Sequence, residues 1–255
     1  MRIALITGAS SGLGKEFIRQ LRREKLDEIW AIARRKERLL ELSGLVPIPV
    51  RPISLDLTKP ESIDTLERLL AEAQPHIHIL INAAGFGKIG NYREISRSDT
   101  DRMIDLNCRA AVDVTLLALP YMNKGDRILE ICSTAAFQPF PYLNVYAATK
   151  SFLYRYSRAL RVELMDRRIR VTAVCPYWVK NTEFIPKARE TEGSRAIRHF
   201  PLASRKETVV RLALSDSRLG LPVSTPGPVC FLHRIAAKFI PGELMMGLWS
   251  LIRRL

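Results

Sequence analysis

Short apolar runs alternate with longer amphipathic stretches along most of the chain. Strand-like runs begin near Ile3, Glu28, Val50, Ile77, Arg127 and Ile169, with a last short one at 222–225. Helical periodicity fills the intervals, near residues 13–24, 60–73, 99–119, 146–165 and 207–218. Short strands joined by longer helices are typical of a parallel sheet. Because such crossovers are right-handed, the pattern predicts an α/β fold, a single domain with a Rossmann-type doubly wound parallel sheet.

The alternation ends after the sixth predicted strand. Residues 180–206 are polar and basic, and a segment of this length inside a compact domain indicates a substrate lid. Residues 229–255 read as an amphipathic helical C-terminal tail, whose two short helices break at Pro241-Gly242. We therefore predict a dinucleotide-binding and catalytic domain at 1–228, followed by this tail.

A glycine-rich segment connects the first predicted strand to the first helix. It reads Thr7-Gly8-Ala9-Ser10-Ser11-Gly12-Leu13-Gly14. Gly8 allows a tight turn, Gly12 lets the backbone approach a pyrophosphate, and Gly14 lets the helix pack closely on the sheet. Free N–H groups at the helix start would face the phosphates. A simple glycine-serine turn is the alternative, but strand, glycine loop and helix in this order predict dinucleotide binding.

The end of the second predicted strand distinguishes NAD from NADP. An acid there would bind the ribose 2′-hydroxyl of NAD, whereas this chain has Ala33 followed by Arg34 and Arg35. A guanidinium at this place can pair with the 2′-phosphate of NADP. The basic residues could instead cover a solvated helix start, yet positive charge at a helix N-terminus is unfavourable. The predicted cofactor is therefore NADP(H).

Three side chains form a candidate catalytic group. Tyr146 and Lys150 are four residues apart in a predicted helix, so they share one face. A neighbouring ammonium favours the phenolate and lowers a tyrosine pKa. Ser133 follows an apolar run, at the edge where such sheets hold ligands, and its hydroxyl could bind a carbonyl oxygen. By itself Ser133 would be read as a turn serine.

The order and spacing of these motifs resemble the short-chain dehydrogenase/reductase family over at least residues 1–182. The matching segments are the glycine loop, Leu55-Asp56-Leu57, Asn82-Ala83-Ala84-Gly85, Asn107, Ser133 and Tyr146-Ala147-Ala148-Thr149-Lys150. The glycine spacing is more similar to the free-standing reductases of the family than to its sugar-nucleotide epimerases. The resemblance also implies a homodimer or homotetramer formed through the helices at 99–119 and 146–165.

The resemblance implies a role for each matching residue. Tyr146 would be the acid/base, Lys150 would bind the nicotinamide ribose and lower the tyrosine pKa, Ser133 would polarise the carbonyl, and Asn107 would hold a water that connects Lys150 to solvent. The expected cofactor contacts are Gly8, Ser10, Ser11, Gly12, Leu13, Gly14, Arg34, Arg35, Asp56, Leu57, Asn82, Ala83, Ala84, Gly85, Tyr146, Lys150, Pro176, Val179 and Thr182.

The chain departs from the family pattern after the sixth strand. Pro176 is followed by Tyr177 where the family usually has glycine, and the larger side chain would narrow the substrate side of the pocket. Asn181 stands where the family usually has threonine, and Thr182 comes one residue later. Either residue would be able to hydrogen-bond the nicotinamide amide or a phosphate.

The expected pocket segments are rich in aromatic and apolar side chains. The candidates are Phe137, Phe140, Tyr142, Tyr177, Trp178, Phe184, Ile185 and Phe200. They favour a bulky apolar ketone or aldehyde, such as a steroid-like, acyl or aromatic one, although several are expected to be ordinary core residues. The lid bases Lys180, Lys187, Arg189, Arg195, Arg198, Arg205 and Lys206 either bind an anionic substrate tail or form a solvated basic loop.

Composition narrows the class of protein further. A chain of 255 residues, 47% of them hydrophobic, can bury one large core. No apolar run approaches the roughly 20 residues that span a bilayer, and the N-terminal run is too short for a signal peptide. The four widely spaced cysteines are expected to be reduced thiols in a cytoplasmic protein. The four histidines form no recognisable metal pattern, so we predict no metal site.

The net charge of +14 raises the question of an anionic partner. The basic residues are spread over many segments without a nucleic-acid motif, so we expect no nucleic-acid partner. An anionic cofactor, substrate or membrane surface explains the charge better. The tail mixes apolar and basic residues, and it could close the pocket, pack in a dimer or contact a membrane peripherally.

These observations predict an oxidoreductase that transfers hydride between NADPH and a small-molecule carbonyl substrate. Two alternatives stay open at this point. One is a catalytically idle NADP(H)-sensing or interaction protein, and the other is a reductase of lipid or oxoacyl substrates that works at a membrane surface.

Overall fold

A seven-stranded parallel sheet forms the centre of the molecule. The computed structural model describes residues 1–192, 196–200 and 202–253, so Arg195 of the predicted lid lies outside the described residues. The strand order is β3-β2-β1-β4-β5-β6-β9, and every described pairing is parallel. The strands are β1 Arg2–Thr7, β2 Glu28–Ala33, β3 Val50–Ser54, β4 His76–Asn82, β5 Arg127–Ile131, β6 Arg170–Val174 and β9 Val223–Ser224. This topology confirms the predicted doubly wound α/β fold.

Helices cover both faces of the sheet. They are α1 Gly12–Gln20, α2 Lys36–Leu40, α3 Pro60–Ala73, α4 Arg97–Ile104, α5 Ala110–Ala118, α6 Asn144–Glu163, α7 Phe184–Ala188, α8 Lys206–Arg218, α9 Pro228–Phe239 and α10 Gly242–Ile252. In β1, Ala4 and Ile6 face the core beneath α1 and α8, whereas Ile3 and Leu5 face the core beneath α3, α5 and α6. Because side chains alternate across a strand, a central strand buried on both faces must be continuously apolar.

One predicted helix is divided by a π-helical turn. The stretch 99–119 forms α4 and α5, with the π turn Asp105–Arg109 between them. The extra residue per turn shifts the side chains that follow, and such turns are frequent at functional sites. Helical periodicity continues through the turn, which explains why the sequence indicated a single helix.

The segment predicted as a lid contains regular structure of its own. It includes α7 and a short parallel pair of strands, β7 Val179–Lys180 and β8 Ser204–Arg205. A five-residue helix and two-residue strands are too short for a periodic apolar pattern, so the sequence indicated only a loop. The extent of a functional lid stays a prediction.

The tail packs one face on the domain and exposes the other. Its helices α9 and α10 separate at Pro241-Gly242, where the sequence predicted a break. Met245 and Trp249 are buried, whereas Phe231, Leu232 and Phe239 each expose more than half of their surface in the single chain. For these three side chains, contact with a second copy or with a membrane stays a prediction.

Two of the histidines meet a buried acid at the amino end of the sheet. His76 Nε2 lies 2.8 Å from Asp126 Oδ2, and His78 Nδ1 lies 2.7 Å from Asp126 Oδ1. This convergence was not visible in the sequence, because β4 and the loop before β5 are distant along the chain. A hydrogen bond accounts for each of these ring nitrogens, and the absence of a metal site stays a prediction.

The cysteines and the described helices agree with the expectations from composition. Cys108, Cys132, Cys175 and Cys230 are buried free thiols. Within the described ranges, no helix has the length and apolar character needed to cross a membrane.

Candidate active site

A cavity of about 420 Å³ opens at the carboxyl ends of the central strands. Loops that follow β1 to β6 form its walls, which is where open parallel sheets bind ligands. All the predicted cofactor residues except Asn82 line this cavity, and so does Ser133. The structure therefore brings the predicted dinucleotide site and the predicted reaction centre into one space.

The glycine loop is shaped by close backbone contacts. Gly8 has a φ of +66°, and a Cβ there would lie 2.7 Å from the Ala83 carbonyl oxygen. A Cβ on Gly14 would lie 2.3 Å from the Gly8 carbonyl oxygen. Ser11 precedes α1, its side chain caps no backbone N–H, and the first turn of α1 contains no acid. The start of α1 therefore carries no negative charge and no cap from Ser11, so its N–H groups suit a pyrophosphate.

The two arginines after β2 have different surroundings. Arg34 is exposed, whereas Arg35 is partly buried and its Nη2 donates to Ser10 Oγ at 3.2 Å. Arg35 Nη2 also lies 2.9 Å from Glu183 Oε2. Burial acts to raise the pKa of Asp56, but hydrogen bonds from Thr58 and the charges of Arg34 and Arg102 bring it below its usual value. This end of the cavity holds Arg34, Arg35 and Arg102 beside Asp56 and Glu183, and a hydrogen bond and an ion pair already orient Arg35.

Ser133, Tyr146 and Lys150 meet at the floor of the cavity. The Lys150 ammonium donates to the Ile131 carbonyl oxygen at 2.7 Å and lies 5.9 Å from the centre of the Tyr146 ring. Ser133 Oγ accepts from the Ala135 N–H at 3.1 Å. The three residues are brought together because α6, which carries Tyr146 and Lys150, lies across the end of β5, which Ser133 follows.

Burial shifts the pKa of Tyr146 in the direction opposite to the predicted one. Burial raises the pKa of Tyr146 above its ordinary value, and a hydrogen bond with Ser133 only partly opposes this rise. Lys150, which the resemblance predicts to lower this pKa, is not among the causes of the shift, and burial of the phenol is the largest of them. Burial also lowers the pKa of Lys150. The phenol is therefore a neutral acid, which is the form that can give a proton.

Asn107 supports the site from behind. It lies on the π turn, fully buried, and does not line the cavity. Its side chain accepts from the Phe86 N–H at 3.0 Å and donates to the Phe86 carbonyl oxygen at 2.8 Å. It also donates to Thr149 Oγ1 at 3.0 Å, and Thr149 Oγ1 donates to the Tyr146 carbonyl oxygen at 2.8 Å. Asn107 thus connects the loop after β4 to the helix of Tyr146, and its role with a water stays a prediction.

Asn82 faces away from the cavity, so its predicted cofactor contact is wrong. Its side chain donates to Thr115 Oγ1 and to Glu130 Oε1, at 2.9 Å each. Because β4 is pleated, consecutive residues point to opposite faces, and Asn82 points beneath the sheet. Burial raises the pKa of Glu130 to about 7 despite these bonds. The sequence analysis missed this buried acid, although a glutamate inside the apolar run before Ser133 was a visible signal.

The apolar wall contains only part of the predicted set. The lining apolar side chains next to the reaction centre are Phe86, Phe140, Leu143, Tyr177, Trp178 and Phe184. Phe137, Tyr142, Ile185 and Phe200 do not line the cavity. Phe137 packs on Tyr154 and His233, and Phe200 meets Trp178 edge to face with ring centres 4.6 Å apart. The sequence analysis missed Phe86 and Leu143, although Phe86 directly follows the motif at the end of β4.

The tail supports this wall without lining the cavity. Trp249 Nε1 donates to the Pro141 carbonyl oxygen at 3.1 Å, and its ring centre lies 5.1 Å from that of Phe140. His233 Nε2 lies 2.9 Å from Gln138 Oε1. Within the described part of the chain, no residue of α9 or α10 lines the cavity. The tail therefore holds the segment that carries Phe140.

The residues at the departures from the family pattern have different places relative to the cavity. Asn181 has a φ of +61°, a left-handed conformation that asparagine tolerates, and it does not line the cavity. Thr182 lines the cavity, and a Cβ added to Gly12 would lie 3.7 Å from the Thr182 Cβ. The Tyr177 N–H lies 3.2 Å from Cys230 Sγ, so α9 holds the residue that replaces the usual glycine.

Known proteins are similar to this chain over most of its length. A family model described as short chain dehydrogenase matches residues 2–193. The NADP-dependent 3-hydroxy acid dehydrogenase YdfG of Escherichia coli K12 is 34% identical over 186 residues, which are 71% of this chain and 74% of that protein. This chain belongs to the short-chain dehydrogenase family.

Two solved structures extend the similarity to the whole chain of this dehydrogenase. A short-chain dehydrogenase from Sphingobium yanoikuyae in complex with NADPH is 28% identical, with a TM-score of 0.80 over 100% of this chain and 97% of that one. The bulky-bulky ketone specific alcohol dehydrogenase from Comamonas testosteroni is 25% identical, with a TM-score of 0.74 over 100% and 95% of the two chains. In both comparisons the matched range therefore includes the tail.

Glu130 gives a prediction about stability and pH. The folded protein holds the Glu130 proton up to a pKa of about 7, against an ordinary value of 4.5. Its contribution to stability is therefore complete below pH 4.5 and is lost as the pH rises to about 7. We expect Glu130→Gln to flatten this decline in the free energy of unfolding, measured with urea across that pH range. Glu163→Gln, at the exposed end of α6, is the control, and equal slopes for both variants would contradict the assignment.

Proposed function

We propose that this dehydrogenase reduces a bulky apolar ketone or aldehyde with NADPH, and that Tyr146 is the proton donor. The observation that supports the proposal is the meeting of Ser133, Tyr146 and Lys150 beneath an aromatic wall in a single cavity. The enzyme is an NADP-dependent short-chain dehydrogenase that acts on C=O and CH–OH groups. The bulky-ketone specificity of the Comamonas relative agrees with the apolar wall.

A bound NADPH would supply hydride to the carbonyl carbon, and the chain would supply the proton and the polarisation of the carbonyl. The Ser133 hydroxyl would donate a hydrogen bond to the carbonyl oxygen and polarise it. As the carbon–oxygen double bond becomes an alkoxide, the Tyr146 phenol would give it a proton. The buried Lys150 ammonium would then stabilise the phenolate that remains, because opposite charges attract strongly away from water. The neutral state of Tyr146 fits reduction, since the phenol begins with the proton that it must give.

The cofactor's opposite end would lie on the positive side of the cavity. The glycine loop and the start of α1 would hold the pyrophosphate, and Arg34 and Arg35 would hold the 2′-phosphate. Arg35 is the better placed of the two, because Ser10 already orients its guanidinium toward the glycine loop.

The buried base next to the apolar wall, Lys88, already has hydrogen-bond partners within the protein. Lys88 is 8% exposed, and its ammonium donates to the carbonyl oxygens of Lys187 at 3.2 Å and Glu190 at 3.1 Å. It therefore holds the end of α7, and these hydrogen bonds compete with any contact to an anionic substrate. This arrangement favours an apolar substrate over one with an anionic tail.

We also propose that the enzyme is a cytoplasmic homodimer or homotetramer. Apolar side chains on and beside α5 and α6 are exposed in the single chain. They are Leu116, Phe152, Val162 and Met165. Burial of these residues against a second copy would remove a large apolar patch from water. The four buried free thiols suit a reducing compartment.

The outer face of the tail is proposed to contact an anionic membrane surface. The exposed apolar side chains are Phe231, Leu232, Ile235, Phe239, Leu244, Leu248 and Leu251. Lys238 is exposed on the same helix as Phe239, and the chain has a net charge of +14. An amphipathic helix of this kind lies in the plane of a membrane surface rather than across it.

The acid role of Tyr146 is tested by Tyr146→Phe, which removes the hydroxyl and keeps the ring. We expect turnover to fall on the order of 10²–10⁴-fold, because the proton donor is lost, while NADPH binding stays close to normal. NADPH oxidation is followed over a panel of bulky and small ketones, with the exposed Tyr92→Phe as control. Wild-type turnover in Tyr146→Phe would remove Tyr146 from the reaction, and a wild type that turns over none of the panel would favour an NADP(H)-sensing protein.

The role of the arginines is tested by Arg34→Ala and Arg35→Ala. Because only NADPH carries the 2′-phosphate, we expect each variant to lose NADPH affinity by about 1.5–3 kcal/mol and to keep its NADH affinity. Fluorescence titration of both cofactors measures this difference, and Arg22→Ala outside the cavity is the control. Equal losses for the two cofactors would show that the 2′-phosphate is bound elsewhere.

The two faces of the tail are separated by Trp249→Ala and a Leu244→Glu, Leu248→Glu pair. The first removes the support behind Phe140, so we expect KM to rise more for a bulky ketone than for a small one. The second charges the outer face, so we expect it to abolish sedimentation with anionic vesicles and to leave both KM values unchanged. Vesicle binding that persists in the Leu244→Glu, Leu248→Glu pair would exclude membrane contact by this face of the tail.

A further inference from the structure

Three consecutive residues at the start of the lid contact both ends of the cofactor cleft. Thr182 lies against Gly12 of the glycine loop. Glu183 pairs with the arginines that follow β2. The Phe184 ring centre lies 5.4 Å from that of Tyr146. A shift of this short segment would therefore be felt at the phosphate end and at the reaction centre together.

Glu183 is the anion at the centre of a cluster of bases. Its Oε2 lies 2.9 Å from Arg35 Nη2 and 2.8 Å from Lys187 Nζ, and its Oε1 pairs with Arg38 Nη1. Burial acts to raise its pKa, but hydrogen bonds from Lys187, Arg35 and Arg38 hold that pKa at about 2. Glu183 is therefore a carboxylate at any physiological pH.

We propose that Glu183 competes with the 2′-phosphate of NADPH for Arg35, and that it thereby lowers the preference for NADPH over NADH and couples the lid to that phosphate. The inference rests on the proposed role of Arg35 in binding that phosphate. A carboxylate already sits on the guanidinium, so an entering cofactor must displace it. A phosphate monoester carries nearly twice the charge of a carboxylate and has three acceptor oxygens, so it wins the guanidinium. The neutral 2′-hydroxyl of NADH does not.

Displacement of Glu183 would also change the lid. The far end of α7 is held by Lys88, and Asn181, with a φ of +61°, turns the chain just before Thr182. The segment between these two points has its ionic contact through Glu183. When the 2′-phosphate takes Arg35, the first turn of α7 loses its contact with Arg35 and keeps the one with Arg38, and Phe184 next to it moves relative to Tyr146. Binding of NADPH would thus change the substrate side of the cavity, and binding of NADH would not.

The first test is Glu183→Gln, which keeps the size of the side chain and removes its charge. Its side chain is one-third exposed, so the variant is expected to fold. We expect NADPH to bind about 10-fold more tightly, because its competitor is lost, and NADH binding to stay unchanged. Glu183→Asp, which keeps the charge but withdraws it from Arg35, should give an intermediate gain. Glu190→Gln, an exposed lid acid that faces Lys88, is the matched control and should change neither affinity.

The second test measures the lid without turnover. Trypsin cleavage after Lys187 and Arg189 is followed by mass spectrometry in the presence of 2′,5′-ADP or of 5′-ADP. In the wild type we expect 2′,5′-ADP to change the cleavage rate and 5′-ADP to leave it unchanged. In Glu183→Gln we expect the rate to be shifted already and to respond to neither nucleotide.

The outcomes separate this inference from the proposed function. If Arg35→Ala weakens NADPH selectively but Glu183→Gln leaves NADPH affinity unchanged, the competition is wrong and the role of Arg35 stands. If Glu183→Gln weakens NADPH binding, Glu183 holds the cofactor rather than competing with it, and the inference is overturned. If Arg35→Ala affects NADPH and NADH equally, the proposed 2′-phosphate site fails, and the inference fails with it.

Discussion

The parallel pairing of β1 with β4 is the contact on which the active site depends. The order of the strands reverses at this pair, so the loops that leave β1 and β4 diverge and open a crevice between them. Thr7 Oγ1 accepts from the Ala84 N–H at 3.1 Å, and Gly8 lies so close to Ala83 that no side chain fits. The crevice exists because two backbones touch at its base and separate above it.

Polar groups beneath the sheet carry the constraint to the reaction centre. Asn107 holds both polar atoms of the Phe86 backbone and reaches Thr149 in α6. On Gly85, a Cβ would lie 2.9 Å from Asn107 Oδ1 and 3.3 Å from Lys150 Nζ. Buried polar groups without partners are costly, so these residues accept few alternative arrangements. The position of Lys150 is thus set from several elements at once rather than by its own helix.

Sequence patterns predicted the fold and most of the cavity, because apolar alternation and glycine spacing are local signals. They failed where the outcome depends on a neighbour distant along the chain. Asn82 has the motif of a cofactor residue, yet the pleat of β4 turns it toward Glu130. Phe137 has the composition of a pocket residue, yet α9 covers it through His233. Glu183 drew no attention in the sequence, because its partners Arg35 and Arg38 lie about 150 residues earlier.

The bond between Trp249 and Pro141 has a consequence for how the protein is made. The partners are 108 residues apart, and the loop that carries Phe140 is synthesised well before its support. A nascent chain that has completed β6 already contains Ser133, Tyr146 and Lys150, but the wall above them still lacks α10. Closing so long a loop is a late event in folding, because its entropy must be overcome before the contact stabilises anything. The residues of the reaction centre are therefore synthesised well before the helix that supports the substrate wall, and the Trp249–Pro141 contact forms only once the last helix is available.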